Sequence, residues 1–218
     1  MTRVVLIRHG RSTANADGVL AGRAAGIRLD EAGRDQATRL REALASAPVA
    51  AAYSSPIERC LETAQLAGFP DPLVVEGLTE CDYGRWTGLR LDELRSEAVW
   101  DTIQADPGSV TFPDGESMRD MFDRVTGVVG DLAARHADDE TIVVFSHGDP
   151  IKAVLAHAFG IGIDRFQRVH VNPAGVSVIE MRDDRTLVLC VNAGGDLSDL
   201  IGSRPGHVVG GGDVARAK

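Results

Sequence analysis

The stretch VVLIRHGRSTAN, residues 4–15, decides how the rest of the chain is interpreted. Four apolar residues, three of them β-branched, predict a short buried strand at 4–7. The sequence then turns polar at Arg8 and His9, and Gly10 allows the backbone to bend sharply beside them. In an open α/β sheet, ligands bind outside the carboxyl ends of the strands, so we expect both side chains to face a ligand.

A histidine beside an arginine at a strand end suggests phosphoryl transfer through a phosphohistidine. The neutral imidazole of His9 is a good nucleophile near neutral pH, because its unperturbed pKa is about 6.5. The Arg8 guanidinium keeps its charge and binds phosphate oxygens in pairs. A His-Gly turn by itself is at least as often structural, so the hypothesis depends on segments with matching chemistry further along the chain.

The composition indicates a soluble, cytoplasmic globular protein. Its 218 residues are 44% hydrophobic, with a net charge of −9 and a pI near 5.1, which argues against nucleic acid or an anionic membrane as a partner. The three widely spaced cysteines, at 60, 81 and 190, predict neither a zinc site nor a disulfide framework. We expect no signal peptide and no transmembrane segment, because no apolar run approaches the ~18 residues that span a bilayer.

The chain alternates between predicted strands and helices. Asp30 is typical of a helix N-cap, and Ser54-Ser55-Pro56 is typical of a helix start. The predicted strands are 4–7, 49–53, 73–75, 141–145, 176–181 and 186–192. The predicted helices are 31–47, one opening at 54–56, 91–100, 116–136 and 151–159. This alternation predicts an α/β fold, a three-layer αβα sandwich with a mainly parallel central sheet.

Several chemically active side chains follow the predicted strands and can converge at one sheet edge. Arg59 lies just inside a helix after the second strand, and His147 follows the strongest strand. Two cations and two imidazoles around one point require an anion, because like charges repel. Glu80 stands on an irregular loop at 78–88 and is placed to give a proton to a leaving oxygen.

These motifs together resemble the histidine phosphatase superfamily, the group of phosphoglycerate mutases, fructose-2,6-bisphosphatase-like enzymes and broad phosphatases. The resemblance rests on LIRHGRS at 6–12 with Asn15, on SSP at 54–56 leading to Arg59, and on SHG at 146–148. The segment ECDYGRWTG at 80–88 resembles the family's acid-bearing loop. The resemblance implies a phosphoglycerate mutase-like fold.

The family resemblance also implies roles for individual residues. His9 would be the phosphorylated nucleophile and Glu80 the proton donor. The phosphoryl oxygens would be bound by Arg8, Arg59 and His147, and a protonated His147 would supply a third positive group beside the two arginines. Asn15 would be a further phosphate or loop contact, although an ordinary turn or cap role is nearly as plausible. Neither a metal nor another cofactor is implied.

Three departures from the family pattern bear on function. Arg11 stands where many members have Glu or Gln, and the segment at 192–197 matches the family's C-terminal loop only loosely. No extra segment between 100 and 116 resembles the one with which dedicated mutases enclose their substrate. We therefore expect a phosphatase acting on a small phosphomonoester. The alternatives are a phosphomutase, which shares the phosphohistidine step, and a non-catalytic phosphate-binding module.

The organisation of the chain predicts one domain at 1–201, followed by a disordered tail at 202–218 that is rich in glycine. The expected partner is a small phosphorylated substrate, with no nucleic acid and no membrane. The oligomeric state stays open, a homodimer being the commonest arrangement for soluble enzymes. Four further histidines have no motif around them and are interpreted as structural or surface residues: His136, His157, His170 and His207.

Overall fold

The computed structural model describes residues 1–45, 47–182, 185–194, 197 and 201, and the predicted tail lies outside them. The strands in this part of the chain are β1 (Thr2–Arg8), β2 (Val49–Ser54), β3 (Leu73–Val74), β4 (Thr141–Ser146), β5 (Val176–Arg182) and β6 (Arg185–Ala193). The helices are α1 (Thr13–Asp17), α2 (Glu31–Leu44), α3 (Glu58–Leu66), α4 (Leu91–Leu94), α5 (Ala98–Ala105), α6 (Met118–Ala134) and α7 (Gly148–Ala158). Short 3₁₀ helices cover Glu76–Leu78, Gly84–Trp86, Pro107–Ser109 and Ile163–Arg168.

One sheet holds these strands in the order β3-β2-β4-β1-β5-β6. The four strands from β3 to β1 run parallel, while β5 pairs antiparallel with both β1 and β6. The prediction of a mainly parallel α/β sheet is confirmed. Because β1 pairs in register with β4, Arg8 lies opposite Ser146 at the carboxyl edge.

The central strands are buried on both faces, which explains their continuous apolar sequence. In β1, Val4 and Leu6 belong to the core on one face, together with buried residues of α6 and α7. Val5 and Ile7 belong to the core on the other face, with residues of α2 and α3. Side chains of a strand alternate between faces, so one four-residue run supplies both cores of the αβα sandwich.

Local hydrogen bonds move several helix boundaries from their predicted positions. The helix expected to open at 54–56 begins at Glu58, because the Ser55 hydroxyl accepts the Ile57 N–H and holds the preceding turn outside the helix. The single helix expected at 91–100 is two helices, and the Ser96 hydroxyl donates to the Glu93 carbonyl where the first one ends. Helix α7 begins at Gly148 rather than 151, which places Asp149 in its first turn.

Side-chain caps determine where helices α2 and α6 begin. Asp30 accepts the Gly33 N–H and begins α2, as predicted, although that helix ends at Leu44, before the expected residue 47. Ser117 caps α6 by accepting the Asp120 N–H, so this helix begins two residues later than expected.

None of the helices in the described part of the chain is long and apolar enough to cross a membrane.

A close backbone approach fixes α2 against the loop that follows β1. Gly33, in the first turn of α2, lies so near Arg11 that a side-chain carbon there would overlap the Arg11 carbonyl oxygen. The same approach leaves no space for a side chain at Gly10 against the Gly33 carbonyl. The loop carrying His9 is therefore held in place by a contact that only glycines permit.

We expect Gly33→Ala to lower the free energy of unfolding by about 1–3 kcal/mol, because the methyl group overpacks against backbone that cannot move. The matched control is Gly127→Ala, on an exposed position of α6 with open space around it. There alanine should stabilise by about 0.5–1 kcal/mol through helix propensity. Urea denaturation measures both, and a Gly33→Ala protein as stable as the parent would contradict the close approach.

Candidate active site

Three strand ends meet at the carboxyl edge of the sheet. The His9 N–H donates to the Ser146 carbonyl at 3.0 Å, and the Ser55 N–H donates to the Phe145 carbonyl at 2.9 Å. His147 follows β4 as the N-cap of α7. The segments that the sequence placed after strands β1, β2 and β4 therefore lie side by side.

Hydrogen bonds define which nitrogen of His9 is free to react. Its Nδ1 lies 2.7 Å from the Gly10 carbonyl oxygen, which can only accept, so we assign the ring proton to Nδ1. Nε2 then carries a lone pair and accepts the Nε–H of Arg59 at 3.1 Å. Burial, followed by the charges of Arg59 and Arg8, holds the pKa of His9 well below its usual range. The imidazole is therefore neutral, with Nε2 as its nucleophilic atom.

Arg8 and Arg59 present donors that their own contacts leave unused. Arg8 Nη1 donates to the Val171 carbonyl and Arg59 Nη2 to the Gly22 carbonyl, both at 2.7 Å. Arg8 Nε and Arg59 Nη1 are buried and have no acceptor among the residues that the structure describes. Both side chains line one cavity beside His9. An anion with several oxygens is the group whose acceptors match such donors.

His147 lies behind His9 and is fully buried. The two ring centroids are 5.3 Å apart, and His147 Nε2 lies 2.8 Å from the Ser55 hydroxyl. Burial, followed by Arg59 and His9, holds the pKa of His147 well below its usual range. In the protein without a bound anion, the neighbouring cations and the loss of solvent favour the neutral ring, so His147 does not supply the predicted third positive charge in this state.

Glu80 brings a carboxyl group to the same cavity. It is buried, and its Oε1 accepts the Cys81 N–H at 3.0 Å. Burial, followed by the Asp149 carboxylate, raises the pKa of Glu80 to about 7 against the opposing charges of Arg59 and Arg8. A substantial fraction of this group therefore holds a proton at neutral pH, as a general acid requires.

The loop that carries Glu80 is held by a cluster that the sequence did not reveal. Glu116 Oε1 accepts the Asp82 N–H at 3.0 Å, Arg23 Nη2 at 3.0 Å and Arg124 Nη2 at 2.7 Å. Arg23 also donates from Nε to the Glu80 carbonyl at 2.8 Å. These partners come from distant parts of the chain, so no local pattern indicates them.

Asp149 and Lys152 form an ion pair in the cavity, and the sequence analysis did not predict it. Lys152 Nζ lies 3.0 Å from Asp149 Oδ1, and the Tyr83 hydroxyl donates to Asp149 Oδ2 at 2.8 Å. Burial opposes ionisation of Asp149, but the Lys152 ammonium and the hydrogen bonds from Lys152 and Tyr83 outweigh it and lower the pKa of Asp149. Their spacing of three residues in a helix was the available indication.

Asn15 and Arg11 have structural contacts of their own. Asn15 is part of a capping box, in which its Oδ1 accepts the Ser12 N–H and Ser12 Oγ accepts the Asn15 N–H. Asn15 also lines the cavity, as does His170, which the sequence analysis interpreted as a structural or surface residue. Arg11 is half exposed and forms an ion pair with Asp30 at 2.6 Å. Asp30 therefore neutralises the positive charge that this departure from the family pattern introduces.

The cavity at this edge measures about 350 Å³, near the lower end of small-molecule sites. The structure brings Arg8, His9, Asn15, Arg59 and Glu80 to its wall, whereas His147 is buried behind His9. The remaining wall combines the Asp149–Lys152 pair with apolar and uncharged polar side chains. The arrangement joins a neutral imidazole, the buried Arg59, the partly buried Arg8 and a carboxyl group that is partly protonated at neutral pH.

Comparison with known proteins agrees with this chemistry. Residues 4–194 match the model of the histidine phosphatase superfamily, branch 1. Phosphoserine phosphatase 1 of Hydrogenobacter thermophilus is 30% identical over 200 residues, covering 88% of this chain and 92% of its own. Phosphoserine phosphatase from Entamoeba histolytica, solved with 3-phosphoglyceric acid, is 25% identical with a TM-score of 0.80, covering 89% and 98%. Bacillus stearothermophilus YhfR is 28% identical with the same TM-score, covering 87% and 96%.

We expect the Glu80 carboxyl group to titrate near pH 7, so that it is protonated below and ionised above that value. Replacing its charged neighbour by Asp149→Asn should lower the pKa of Glu80, because a repelling carboxylate is removed and Lys152 is left unpaired. Carboxyl ¹³C NMR titration measures both values, with Glu80→Gln identifying the resonance. Asp92→Asn, at the surface, should leave the titration unchanged. A Glu80 pKa near the ordinary value of about 4.3 would contradict the analysis.

Proposed function

The chain belongs to the histidine phosphatase superfamily and is a histidine-type phosphatase, and on that premise we propose that it hydrolyses small phosphomonoesters through a phosphohistidine formed on His9. The observation that supports this assignment best is the pair of unused donors, Arg8 Nε and Arg59 Nη1, beside His9 Nε2, whose lone pair faces the Arg59 guanidinium. A phosphoryl group held by these donors would present its phosphorus to that nitrogen. Asn15 offers one further contact at the cavity wall.

The proposed reaction has two steps. His9 Nε2 attacks phosphorus and forms the N–P bond, while the bond to the leaving oxygen breaks and that oxygen takes the proton of Glu80. Water then attacks phosphorus, the ionised Glu80 accepts its proton, and the N–P bond breaks to release phosphate and free imidazole. Arg8 and Arg59 neutralise the phosphoryl oxygens in both steps. The His147 ring supports His9 from behind as a neutral group.

Hydrolysis rather than phosphomutase activity is favoured by the exposure of the cavity. Asn15 and His170 on its wall are both exposed to solvent, so water can reach the phosphohistidine from that side. A mutase must instead keep water away until a second hydroxyl accepts the phosphoryl group. The mutase remains compatible with the family and shares the first step.

We further propose that residues 1–201 act as one catalytic domain in the cytoplasm, without a nucleic-acid or membrane partner. The acidic net charge of −9 supports the exclusion of polyanionic partners. The site residues from Arg8 to His170 lie within this domain. A homodimer is the assembly to test first, by light scattering of the purified protein.

His9→Ala should abolish turnover while leaving binding of inorganic phosphate and the fold intact, because it removes the atom that accepts the phosphoryl group. Denaturing quench of the parent during turnover should trap a phosphoprotein that is stable in base and labile in acid, and the variant should trap none. A non-catalytic phosphate-binding module would bind phosphate without forming this species. Substantial residual turnover in His9→Ala would overturn the assignment of the nucleophile.

Glu80→Gln should act selectively on substrates with poor leaving groups. Loss of a general acid costs about 10²–10⁴-fold in rate when the leaving oxygen needs a proton. We therefore expect such a loss on alkyl phosphates and a much smaller one on p-nitrophenyl phosphate, whose phenolate leaves readily. Initial rates on both substrates give the ratio. Equal losses would indicate a structural or electrostatic role for Glu80 instead.

Activity should survive excess EDTA, because the charge of the phosphoryl group is neutralised by Arg8 and Arg59. Vanadate and inorganic phosphate should inhibit competitively by occupying the same donors. The measurement is initial rate with EDTA, and then with EDTA and excess Mg²⁺. Collapse of the rate on chelation, with recovery when metal is restored, would refute the arginine mechanism.

A further inference from the structure

The cavity that contains His9 and Glu80 also contains a compensated ion pair, formed by Asp149 and Lys152. Lys152 Nζ contacts Asp149 Oδ1 at 3.0 Å and Gln167 Oε1 at 2.5 Å, and it lies 4.5 Å from the centre of the Phe166 ring. Tyr83 holds the other oxygen of Asp149. Three neighbours thus fix this lysine, and its charge is matched by a carboxylate in the same wall.

Few lysine and arginine side chains in this cavity are available to bind a ligand. Among the described residues that line the cavity, the lysines and arginines are Arg8, Arg59 and Lys152. The two arginines are committed to the phosphoryl group in the proposed mechanism. Arg23, near the Glu80 loop, has its charge taken up by Glu116 and Asp82. Among the described residues of this lining, no lysine or arginine remains uncompensated for a second anionic group on the substrate.

Apart from Glu80, the rest of the described lining contains no lysine, arginine, aspartate or glutamate side chain. One part is apolar and is formed by Val19, Leu20, Ala21, Leu91, Val169 and Val171. The other part is polar and consists of Asn15, Gln167 and His170. Amide and imidazole groups bind hydroxyl groups through hydrogen bonds, and the apolar part accommodates the carbon skeleton.

We infer that the physiological leaving group is an uncharged, hydroxyl-bearing alcohol, and that the Asp149–Lys152 pair selects against phosphoesters that carry a carboxylate. This inference rests on the proposed phosphatase function and narrows its substrate class. It differs from the carboxylate-bearing substrates in the names of the phosphoserine phosphatases similar to this chain.

The selection has a simple electrostatic origin. A substrate carboxylate entering this region loses part of its hydration and gains no unpaired lysine or arginine in return. It also meets the Asp149 carboxylate, which repels it, while the Lys152 ammonium is already shared with that group. An uncharged hydroxyl avoids both costs and can hydrogen-bond to the same pair. Specificity then arises as much from rejecting the charged substrate as from binding the uncharged one.

Glycerol 3-phosphate and 3-phosphoglycerate form a matched pair for the test, because they differ only in a CH₂OH group against a carboxylate. We expect kcat/KM of the parent protein to be at least about tenfold higher for glycerol 3-phosphate, a difference of about 1.4 kcal/mol. Equal or better use of 3-phosphoglycerate would overturn the inference. Turnover of p-nitrophenyl phosphate with neither member of the pair hydrolysed would overturn it as well.

Two variants test whether the ion pair causes the selection. Asp149→Asn leaves the Lys152 charge uncompensated, so the preference for glycerol 3-phosphate should fall about tenfold or reverse. The double variant Asp149→Asn/Lys152→Met is again uncharged and should restore the parental preference. Both substrates use the same phosphoryl site and Glu80, so effects on those groups cancel in the ratio. Asp92→Asn, which changes the net charge equally at the surface, should leave the ratio unchanged.

The outcomes separate this inference from the proposed function. If no phosphoester is hydrolysed and no phosphohistidine is trapped, the phosphatase function itself fails. If phosphohistidine chemistry is present but the parent prefers 3-phosphoglycerate, only the substrate class is wrong. If Asp149→Asn leaves the preference of the parent unchanged, the selection does not come from the Asp149–Lys152 pair and that assignment falls.

Discussion

A guanidinium withdrawn from solvent, Arg59, is the group on which the rest of the site depends. It lies at the start of α3 and is 1% exposed. Its three nitrogens divide the site between them: Nε holds His9, Nη2 holds the Gly22 carbonyl, and Nη1 is left for a ligand. A buried cation is costly without acceptors. The fold offsets this cost by bringing a backbone carbonyl and an imidazole lone pair to it, and it leaves the last donor for an anion.

The pKa of Glu80 is set by burial and by a neighbouring negative charge rather than by the arginines. Arg59 and Arg8 both favour ionisation of Glu80, yet its pKa is raised to about 7 because burial and the nearby Asp149 outweigh them. Two carboxyl groups in one cavity cannot both ionise easily, and their different partners decide which one keeps the proton. Asp149 has Lys152 and the Tyr83 hydroxyl as partners, whereas Glu80 has one backbone N–H. The Asp149–Lys152 pair therefore also influences the ionisation state of Glu80.

The sequence predicted what local patterns determine and missed what long-range packing determines. The apolar run before Arg8 and the one before Ser146 each identified a buried strand. The rule that ligands bind at the carboxyl ends of strands correctly predicted the edge of the sheet at which His9 lies. The neutral state of His147 in the protein without an anion was not foreseen, because its pKa depends on burial and on cations from other elements. The Asp149–Lys152 pair was overlooked, since its importance depends on Tyr83, which lies 66 residues away in sequence.

The hydrogen bond between Arg59 and His9 links anion binding to reactivity. Nε2 carries the single lone pair available for attack, and the Arg59 Nε–H occupies it in the free protein. In the proposed mechanism, forming an N–P bond requires that this hydrogen bond be given up. A bound phosphoryl group offers Arg59 charged oxygens, and hydrogen bonds to an ionised acceptor are about twice as strong as neutral ones. The exchange is therefore favourable only when an anion is present. His9 is consequently held in place but unreactive until the group it is to attack competes for the same guanidinium.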